Sequence, residues 1–429
     1  MKARGCIKRV NRSALQKMPN LPSRPVRQQN RSGHWPQLTL LPQKLFLGPD
    51  IMRFERKCLA LLLGITLATI PACLNVNEDG QETLSTGAFQ KGGDDRTGEY
   101  EAVEGWWKPA PDHVGPWTWG QVSGVAVDNP DRIIVAVWGD RDSEGREREG
   151  STNYLVVVDR NGNIVENWSH WDSIFNRPHQ VYISPYDPER HVWIVERGGR
   201  GINMQILKFT NDGSELVMRL VDPNHPTTRA EARANPNPGP YTYGDPAVLA
   251  FLPDGSFYLG DGYWNSRIVK YDANGEYLME WGELGSGPSQ FDLVHGLAID
   301  RNRRVYVGDR TNNRIQIFTE DGELIEEWPD ISDPVGIWAD ENDAIWVISA
   351  RLNRLLKYNL DGELQYHLGT FGGTRGGFPG GLSRPHQLDV DEDGNLYIAS
   401  WDGGWMSKFI PRPGADQAKL IGKGLMLPD

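Results

Sequence analysis

Residues 292–328 read DLVHGLAIDRNRRVYVGDRTNNRIQIFTEDGELIEEW. Four short runs stand out within them: LAI at 297–299, VYV at 305–307, RIQIF at 314–318 and ELIEEW at 323–328. Apolar and polar residues alternate in these runs, and turn formers such as Arg301-Asn302 and Asp321-Gly322 separate them. A period of two puts successive side chains on opposite faces of an extended chain, so the stretch predicts a four-stranded antiparallel meander.

The same unit recurs along the chain. Residues 178–220 contain PHQVYI, HVWIVE, MQILKF and TNDGSELVMRL. Residues 244–281 contain GDPAVLAF, GSFYLGD, SRIVKY and DANGEYLMEW, and residues 333–368 contain DPVGIW, AIWVIS, RLLKY and NLDGELQYHL. Two less regular copies run from GQVSGVAVD to DRNGNIVENW over 120–168, and from RPHQLDVDEDGNLYIAS over 384–410. Six sheets at a period of about 40–45 residues predict an all-β, six-bladed β-propeller with four-stranded antiparallel blades. A β-sandwich has no such fixed repeat. The last copy is short of outer strands, and residues 98–118 are expected to supply the missing edge and close the ring. The inserts at 139–152 and 221–243, rich in charge, Pro and Gly, are expected to be rim loops.

Composition agrees with a turn-rich globular chain: 48 Gly, 29 Pro and 16 Trp in 429 residues. Charge is unevenly spread. Residues 1–72 carry 13 Lys/Arg against Asp50 and Glu55, so with −12 for the whole chain the remainder stands at −23. Such a surface repels phosphate backbones, which argues against a nucleic-acid partner. From Met52 the sequence reads MRFERK, the apolar run CLALLLGITLATI at 58–70, then Pro71-Ala72-Cys73. These are the basic, apolar and small-residue parts of a secretory signal, and the run is too short to span a bilayer. The expectation is an exported protein of the periplasm, cell envelope or extracellular space that starts at Met52. Residues 1–51 are then a disordered leader or an upstream extension of the reading frame. Ile70-Pro71-Ala72-Cys73 also resembles a bacterial lipobox, which makes Cys73 a candidate membrane tether, with ordinary cleavage nearby as the alternative. Residues 52–73 thus read as the signal peptide, 74–97 as a flexible linker and 98–429 as the propeller, expected to be monomeric. Cys6, Cys58 and Cys73 are the three cysteines. All lie at or before this boundary, so a metal in the folded part must be held by His or carboxylates.

Aligning the six units on their first strand puts one residue per blade at the same channel-facing position: Ser123, His179, Ala247, His295, Val335 and His386. Alternate blades of a six-fold ring are about 120° apart, so the histidines of blades two, four and six converge on the axis. One histidine at a strand start is usually a packing residue. Three in symmetric register offer three neutral nitrogen donors with an open fourth position, as a three-histidine metal site requires. Zinc suits such donors, with another transition metal as the alternative. The remaining histidines share no register and read as surface or loop residues. Four further residues are candidates: on the same rim, Tyr263 in GDGYWNSRI as a base and Arg310 in GDRTNNRI as a carboxylate clamp, with Arg197 and Arg141 as weaker candidates. Arg267 and Arg314 read as ties between blades.

These units resemble NHL repeats, and residues 117–410 resemble the lyase domain of peptidyl-α-hydroxyglycine α-amidating lyase (peptidylamidoglycolate lyase). The likeness is carried by GDGYWNSRIVKYDANGEYLMEWG, GPSQFDLVHGLAID and GDRTNNRIQIF, and extends to GQVSGVAVD, RPHQVYI and RPHQLDV. It implies zinc on His179, His295 and His386, a catalytic Tyr263 and an active-site Arg310. The sequence also departs from that family. The second active-site arginine falls on Trp138, with Arg141 three residues on as a substitute. The aspartate that helps hold a structural calcium is Gln387, which makes that calcium doubtful, and Trp264 stands where the family has a cysteine.

The expected function is therefore a metal-dependent lyase that cleaves the C–N bond of an α-hydroxyglycine-type substrate, small molecule or peptide, to an amide and glyoxylate. The alternative is a non-catalytic NHL propeller that binds peptide, glycan or protein at the cell envelope, since the scaffold serves both purposes. A metal-dependent lactonase is a third reading, weakened because such sites lean on carboxylates rather than imidazoles.

Overall fold

A computed structural model describes residues 90–91, 97–150, 153–199, 201–224, 234, 238–373 and 378–428. The leader, the signal peptide with its lipobox, most of the linker and much of the 221–243 insert lie outside the described residues.

Six four-stranded antiparallel sheets follow one another along the chain, and each is a blade. Their innermost strands are Val122–Asn129, Pro178–Ile183, Val248–Phe251, Val294–Ile299, Pro334–Ala339 and Pro385–Val390. Blade 4 shows why these residues form these elements. Its strands Val294–Ile299, Val305–Asp309, Arg314–Phe318 and Leu324–Trp328 coincide with the four runs read from the sequence. The first three strands are buried on both faces, and only the outermost exposes a face to solvent. The turn to that outermost strand recurs around the ring. In Asp159–Asn163, for example, the Asp159 carboxylate accepts the N–H groups of Asn161 and Asn163 while Gly162 takes φ 74°. A side chain that caps its own turn and a left-handed glycine make a tight, register-fixing hairpin.

The apolar core is divided into six clusters, one at each blade–blade contact. At the junction of blades 1 and 2, Ile134 and Val157 pack on Val181, Ile194 and Phe209. Each blade therefore buries its faces against its neighbours rather than against a common centre, which leaves the axis open as a channel.

The ring is closed as the sequence predicts. Tyr100–Ala102 pairs antiparallel with Trp405–Pro411, so the outer strand of blade 6 comes from the N-terminal side of the propeller. Tyr100 is fully buried there, and its hydroxyl accepts the Ile421 N–H at 2.9 Å. Two features differ from expectation. Within the segment read as a linker, Gln90–Lys91 pairs in parallel with Leu364–Leu368 at the outer edge of blade 5. The 139–152 insert is not wholly loop, because Asp140–Arg141 pairs with Thr118–Trp119. After blade 6 the chain returns across the far ends of the innermost strands, where Leu425 N–H donates to the Ala339 carbonyl and Leu427 N–H to the Tyr186 hydroxyl. Leu425 and Leu427 line a cavity of about 400 Å³ at that end of the channel.

Candidate metal centre and substrate cavity

His179, His295 and His386 are each the second residue of an innermost strand, and all three are buried. Strand pairing skips the residue at this position in blade 4, where Val294 pairs with Asp309 and Gly296 with Gly308, leaving His295 unpaired. The same shift occurs at Ser123, Val335 and His386. A β-bulge leaves one residue out of the ladder and re-aims its side chain, here into the channel. The ring centroids of the three histidines lie 4.6–4.9 Å apart. One nitrogen from each lies within 4.8 Å of the others.

Neighbouring blades fix which nitrogen faces the axis. His179 Nδ1 lies 2.8 Å from the Ala247 carbonyl, His295 Nδ1 2.7 Å from that of Val335, and His386 Nδ1 2.6 Å from that of Ser123. A carbonyl oxygen only accepts, so each Nδ1 donates and each Nε2 carries a lone pair. The channel positions of blades 3, 5 and 1 thus orient the histidines of blades 2, 4 and 6. Burial pushes His179 and His295 well below the ordinary imidazole range and His386 down to about 3, with neighbouring rings and guanidiniums adding to the shift. The three imidazoles therefore stay neutral at physiological pH. Neutral donors with tautomers set by an outer hydrogen bond fit a borderline dication such as zinc.

A second ring of residues stands above the histidines. The first side chains after the second strand of each blade are Trp138, Arg197, Tyr263, Arg310, Ala350 and Trp401. Their N–H groups donate in order to the carbonyls of Gln121, Arg177, Asp245, Leu293, Asp333 and Arg384, at 2.9–3.4 Å. Tyr263 reaches this register only because blade 3 has one extra residue, Gly262, at which a Cβ would lie 1.8 Å from the Val294 carbonyl oxygen. The six residues line a cavity of about 310 Å³ together with Val335, Arg384 and His386. His386 lines both this cavity and the one at the far end, so the histidines stand between the two.

The Tyr263 hydroxyl lies 2.7 Å from His295 Nε2 and 3.4 Å from His179 Nε2. Burial pushes its phenol above the usual value, while the Arg197 and Arg310 guanidiniums pull it back. Arg197 is buried, held bidentately by Asp245, and its guanidinium lies over the Tyr263 ring at 3.9 Å. Arg310 donates through Nε to Asp333 at 2.7 Å and also meets the Tyr263 side chain.

The structure thus brings His179, His295, His386, Tyr263 and Arg310 together. It does not bring Arg141 to them. Arg141 lies 2.7 Å from Glu147 and lines a separate cavity with Trp107, Trp119 and Asp402. Sequence reasoning missed Arg384 and Trp401, although the repeated RPHQ at 177–180 and 384–387 marked the first of them. Arg267 and Arg314 are ties within their blades, to Asp261 and Glu280 and to Asp309 and Glu327. Two of the histidines read as surface or loop residues lie in loops with their side chains largely buried: His113 Nε2 is 2.9 Å from Asp140 and His191 Nδ1 2.7 Å from Asp187. Asp112, His113 and Asp140 also form a potential ligand group, but Arg148 already bridges the two carboxylates at 2.7 and 3.0 Å and fills the cation's place.

Gln387 answers the question raised by the missing aspartate. Its Oε1 accepts the N–H groups of Val125 and Val181 at 3.1 and 3.2 Å, and its Nε2 donates to the Val181 carbonyl at 2.8 Å. A calcium ion needs oxygens from every side. Here an amide hydrogen points at the carbonyl a cation would use, so these residues do not fit calcium.

Fold and site together define a six-bladed propeller with three histidines converging on its axis. Residues 291–318 match the family model described as the NHL repeat. The chain is similar to NHL repeat-containing protein 3 of Mus musculus, 29% identical over 67% of this chain and 78% of that protein. It is also similar to peptidylglycine alpha-amidating monooxygenase of Rattus norvegicus, 28% identical over 52% of this chain and 24% of that one. A third relative is the probable peptidyl-alpha-hydroxyglycine alpha-amidating lyase pgal-1 of Caenorhabditis elegans, 25% identical over 47% of this chain and 56% of that one. The match therefore spans about a quarter of the monooxygenase and just over half of the nematode lyase.

Proposed function

We propose that the protein is a metal-dependent carbon–nitrogen lyase that converts an N-acyl-α-hydroxyglycine to the corresponding amide and glyoxylate. The observation that carries this reading is the meeting of three histidine nitrogens at the axis, with the Tyr263 hydroxyl 2.7 Å from His295 Nε2, next to a cavity that Tyr263, Arg310 and His386 line. One distant relative named as a probable amidating lyase and another named as an amidating monooxygenase support it.

His179, His295 and His386 would hold zinc through Nε2, and the ion would supply Lewis-acid polarisation of the substrate hydroxyl. Tyr263 would act as the base in its phenolate form, which burial opposes and which the Arg197 and Arg310 guanidiniums and a dication on the histidines would favour, and would take the hydroxyl proton. As the carbinol C–O bond becomes a carbonyl the C–N bond breaks, and Tyr263 returns the proton to the departing amide nitrogen. Atoms balance and no redox partner is needed. Arg310 orients the substrate carboxylate. Arg197 is a positioning residue that fixes the Tyr263 ring from behind. A structural calcium has no part in the reading. Export through residues 52–73 and a lipid tether at Cys73 belong to the same proposal, and mass spectrometry of the mature N-terminus tests both.

The test is metal analysis of the purified protein, with glyoxylate release from N-benzoyl-α-hydroxyglycine measured before and after chelation. About one zinc per chain and chelator-sensitive release are expected. Metal-replete protein that releases no glyoxylate overturns the proposal. One observation favours a second reading, a non-catalytic propeller that binds peptide, glycan or protein: the relative matched over most of its length is named for its repeats and not for a reaction. Metal-free protein that binds such a partner through the channel would favour that reading.

A further inference from the structure

The cavity above the histidines contains three guanidiniums, and they are not equally engaged. Arg197 is closed off by its bidentate pair with Asp245. Arg310 is held along its Nε edge by Asp333. Arg384 is 41% exposed, and its Nε stands 3.7 Å from Asp402, beyond hydrogen-bond reach. The backbone at Arg384 is in the left-handed region, with φ 50°. That conformation disfavours any side chain with a Cβ, and here it belongs to the repeat, since Leu293 at the same position of blade 4 has φ 77°. The equivalent positions in blades 3 and 5 are also left-handed, Asp245 at φ 65° and Asp333 at φ 48°. There the side chain is an acid that grips the arginine of the preceding blade's rim, Arg197 or Arg310. Blade 6 has the opposite charge at this position, and the preceding rim residue is Ala350. Arg384 therefore has no rim partner of the kind its counterparts have.

Beside it the wall is aromatic. The Arg384 guanidinium lies 5.3 Å from the Trp401 ring centre, and Trp401 meets Trp138 edge-to-face at 5.7 Å. Trp138 is fixed by its indole N–H, which donates to the Pro178 carbonyl at 2.9 Å. The Arg177 and Arg197 guanidiniums also lie 5.7 and 5.3 Å from the Trp138 ring. This flank thus carries a half-exposed cation held only loosely by Asp402, beside a right-angled pair of large rings.

We propose that Arg384 and Arg310 form a two-guanidinium clamp for the ligand's carboxylate, and that Trp138 and Trp401 form a subsite for a flat apolar group on its acyl side. The substrate class is then a small aroyl- or similarly flat acyl-amide of a carboxylate-bearing carbinol. A volume of about 310 Å³ holds a ligand of that size. This deepens the lyase reading and rests on it for the identity of the bond that breaks, but ligand recognition is measured separately.

The experiment uses the purified metal-loaded protein and titrates three unreactive probes by tryptophan fluorescence and calorimetry: N-benzoylglycine, its primary amide, and N-acetylglycine. Wild type is expected to bind N-benzoylglycine about tenfold or more tighter than either of the others, the scale of one charge-assisted contact or one buried ring. Arg384→Gln and Arg384→Ala are expected to lose most of the preference for carboxylate over amide and to keep that for benzoyl over acetyl. Trp401→Ala should do the reverse. The two Arg384 variants remove an exposed side chain, and thermal midpoints equal to wild type would show that the fold is intact. Unchanged carboxylate preference in both Arg384 variants overturns the clamp, and unchanged benzoyl preference in Trp401→Ala overturns the aromatic subsite. Selective binding without glyoxylate release from N-benzoyl-α-hydroxyglycine would sink the lyase reading and leave this one standing. Glyoxylate release that is indifferent to Arg384 would do the opposite.

Discussion

At the residue scale, the site depends on hydrogen bonds that cross from blade to blade. Each axis-facing nitrogen has its state set by a backbone carbonyl of the next blade, so the three imidazoles are preorganised without a polar residue at Ala247 or Val335. Tyr263 depends on Gly262 to reach the rim and on Arg197 to hold its ring. On the lyase reading, Tyr263→Phe lowers turnover about 10²–10⁴-fold, the usual contribution of a positioned base, while zinc content stays at the wild-type level. Steady-state kinetics with metal analysis on the same sample checks this. Loss of zinc together with activity would instead make the hydroxyl a structural part of the centre. A second prediction concerns Asp389, whose carboxylate accepts the Val127 N–H at 2.7 Å and joins blade 6 to blade 1. Burial pushes it up to about 7. Its folded value thus exceeds the ordinary unfolded value of about 4, so between the two the native state binds more protons. The resulting stability is fully present below about 4 and is lost as pH rises through about 7. The urea midpoint should fall from pH 5 to pH 8, and Asp389→Asn should flatten that fall. An identical slope in the variant would refute the assignment.

At the element scale, closure of the ring rests on a short strand. Tyr100–Ala102 completes blade 6, and Tyr100 packs edge-to-face on Phe409 with ring centres 6.3 Å apart. Tyr100→Ala is expected to destabilise the propeller by about 3–5 kcal/mol, the range for emptying a fully buried aromatic site, as read from urea unfolding. A loss below about 1 kcal/mol, the level of an ordinary surface substitution, would mean that the ring is held elsewhere. Most of the elements were legible in the sequence. Their alternation is local, many of their turns are Asp-Gly or Asn-Gly, and the four-strand unit recurs six times. Even the closing strand could be inferred, because the sixth unit was visibly incomplete. The Gln90–Lys91 pairing and the Asp140–Arg141 strand were not legible, since neither has the period or length that distinguishes a strand from a loop.

At the scale of the whole molecule, a metal at the axis would tie blades 2, 4 and 6 to one point. A ligand that binds only the folded ring stabilises it in proportion to the logarithm of its concentration over its dissociation constant. Zinc is therefore expected to raise the thermal midpoint of chelator-treated protein by several degrees, and His295→Ala should abolish that rise. A zinc-dependent shift that survives in the variant would place the ion elsewhere. Gln387 makes a complementary case. It joins blade 6 to blades 1 and 2 with an amide and no ion, so calcium-selective chelation should leave the midpoint where it was.

The sequence by itself determined the blade count, the strand order and the alternate placement of three histidines, because a repeat protein writes its tertiary symmetry as a linear period. It also marked Tyr263 and Arg310, which follow equivalent strands. Only the tertiary structure decided which arginines share the cavity. Arg141 and Arg384 are both charged residues near a strand end, and although the repeated RPHQ sets Arg384 two residues before a channel histidine, no local pattern says which cavity either side chain enters. What separates them is direction: a short strand and Glu147 hold Arg141 at another cavity, whereas a left-handed backbone holds Arg384 above the histidines. Side-chain direction across a ring is set by contacts between residues hundreds of positions apart, such as His386 with Ser123 and Gln387 with Val125, and no local pattern encodes these.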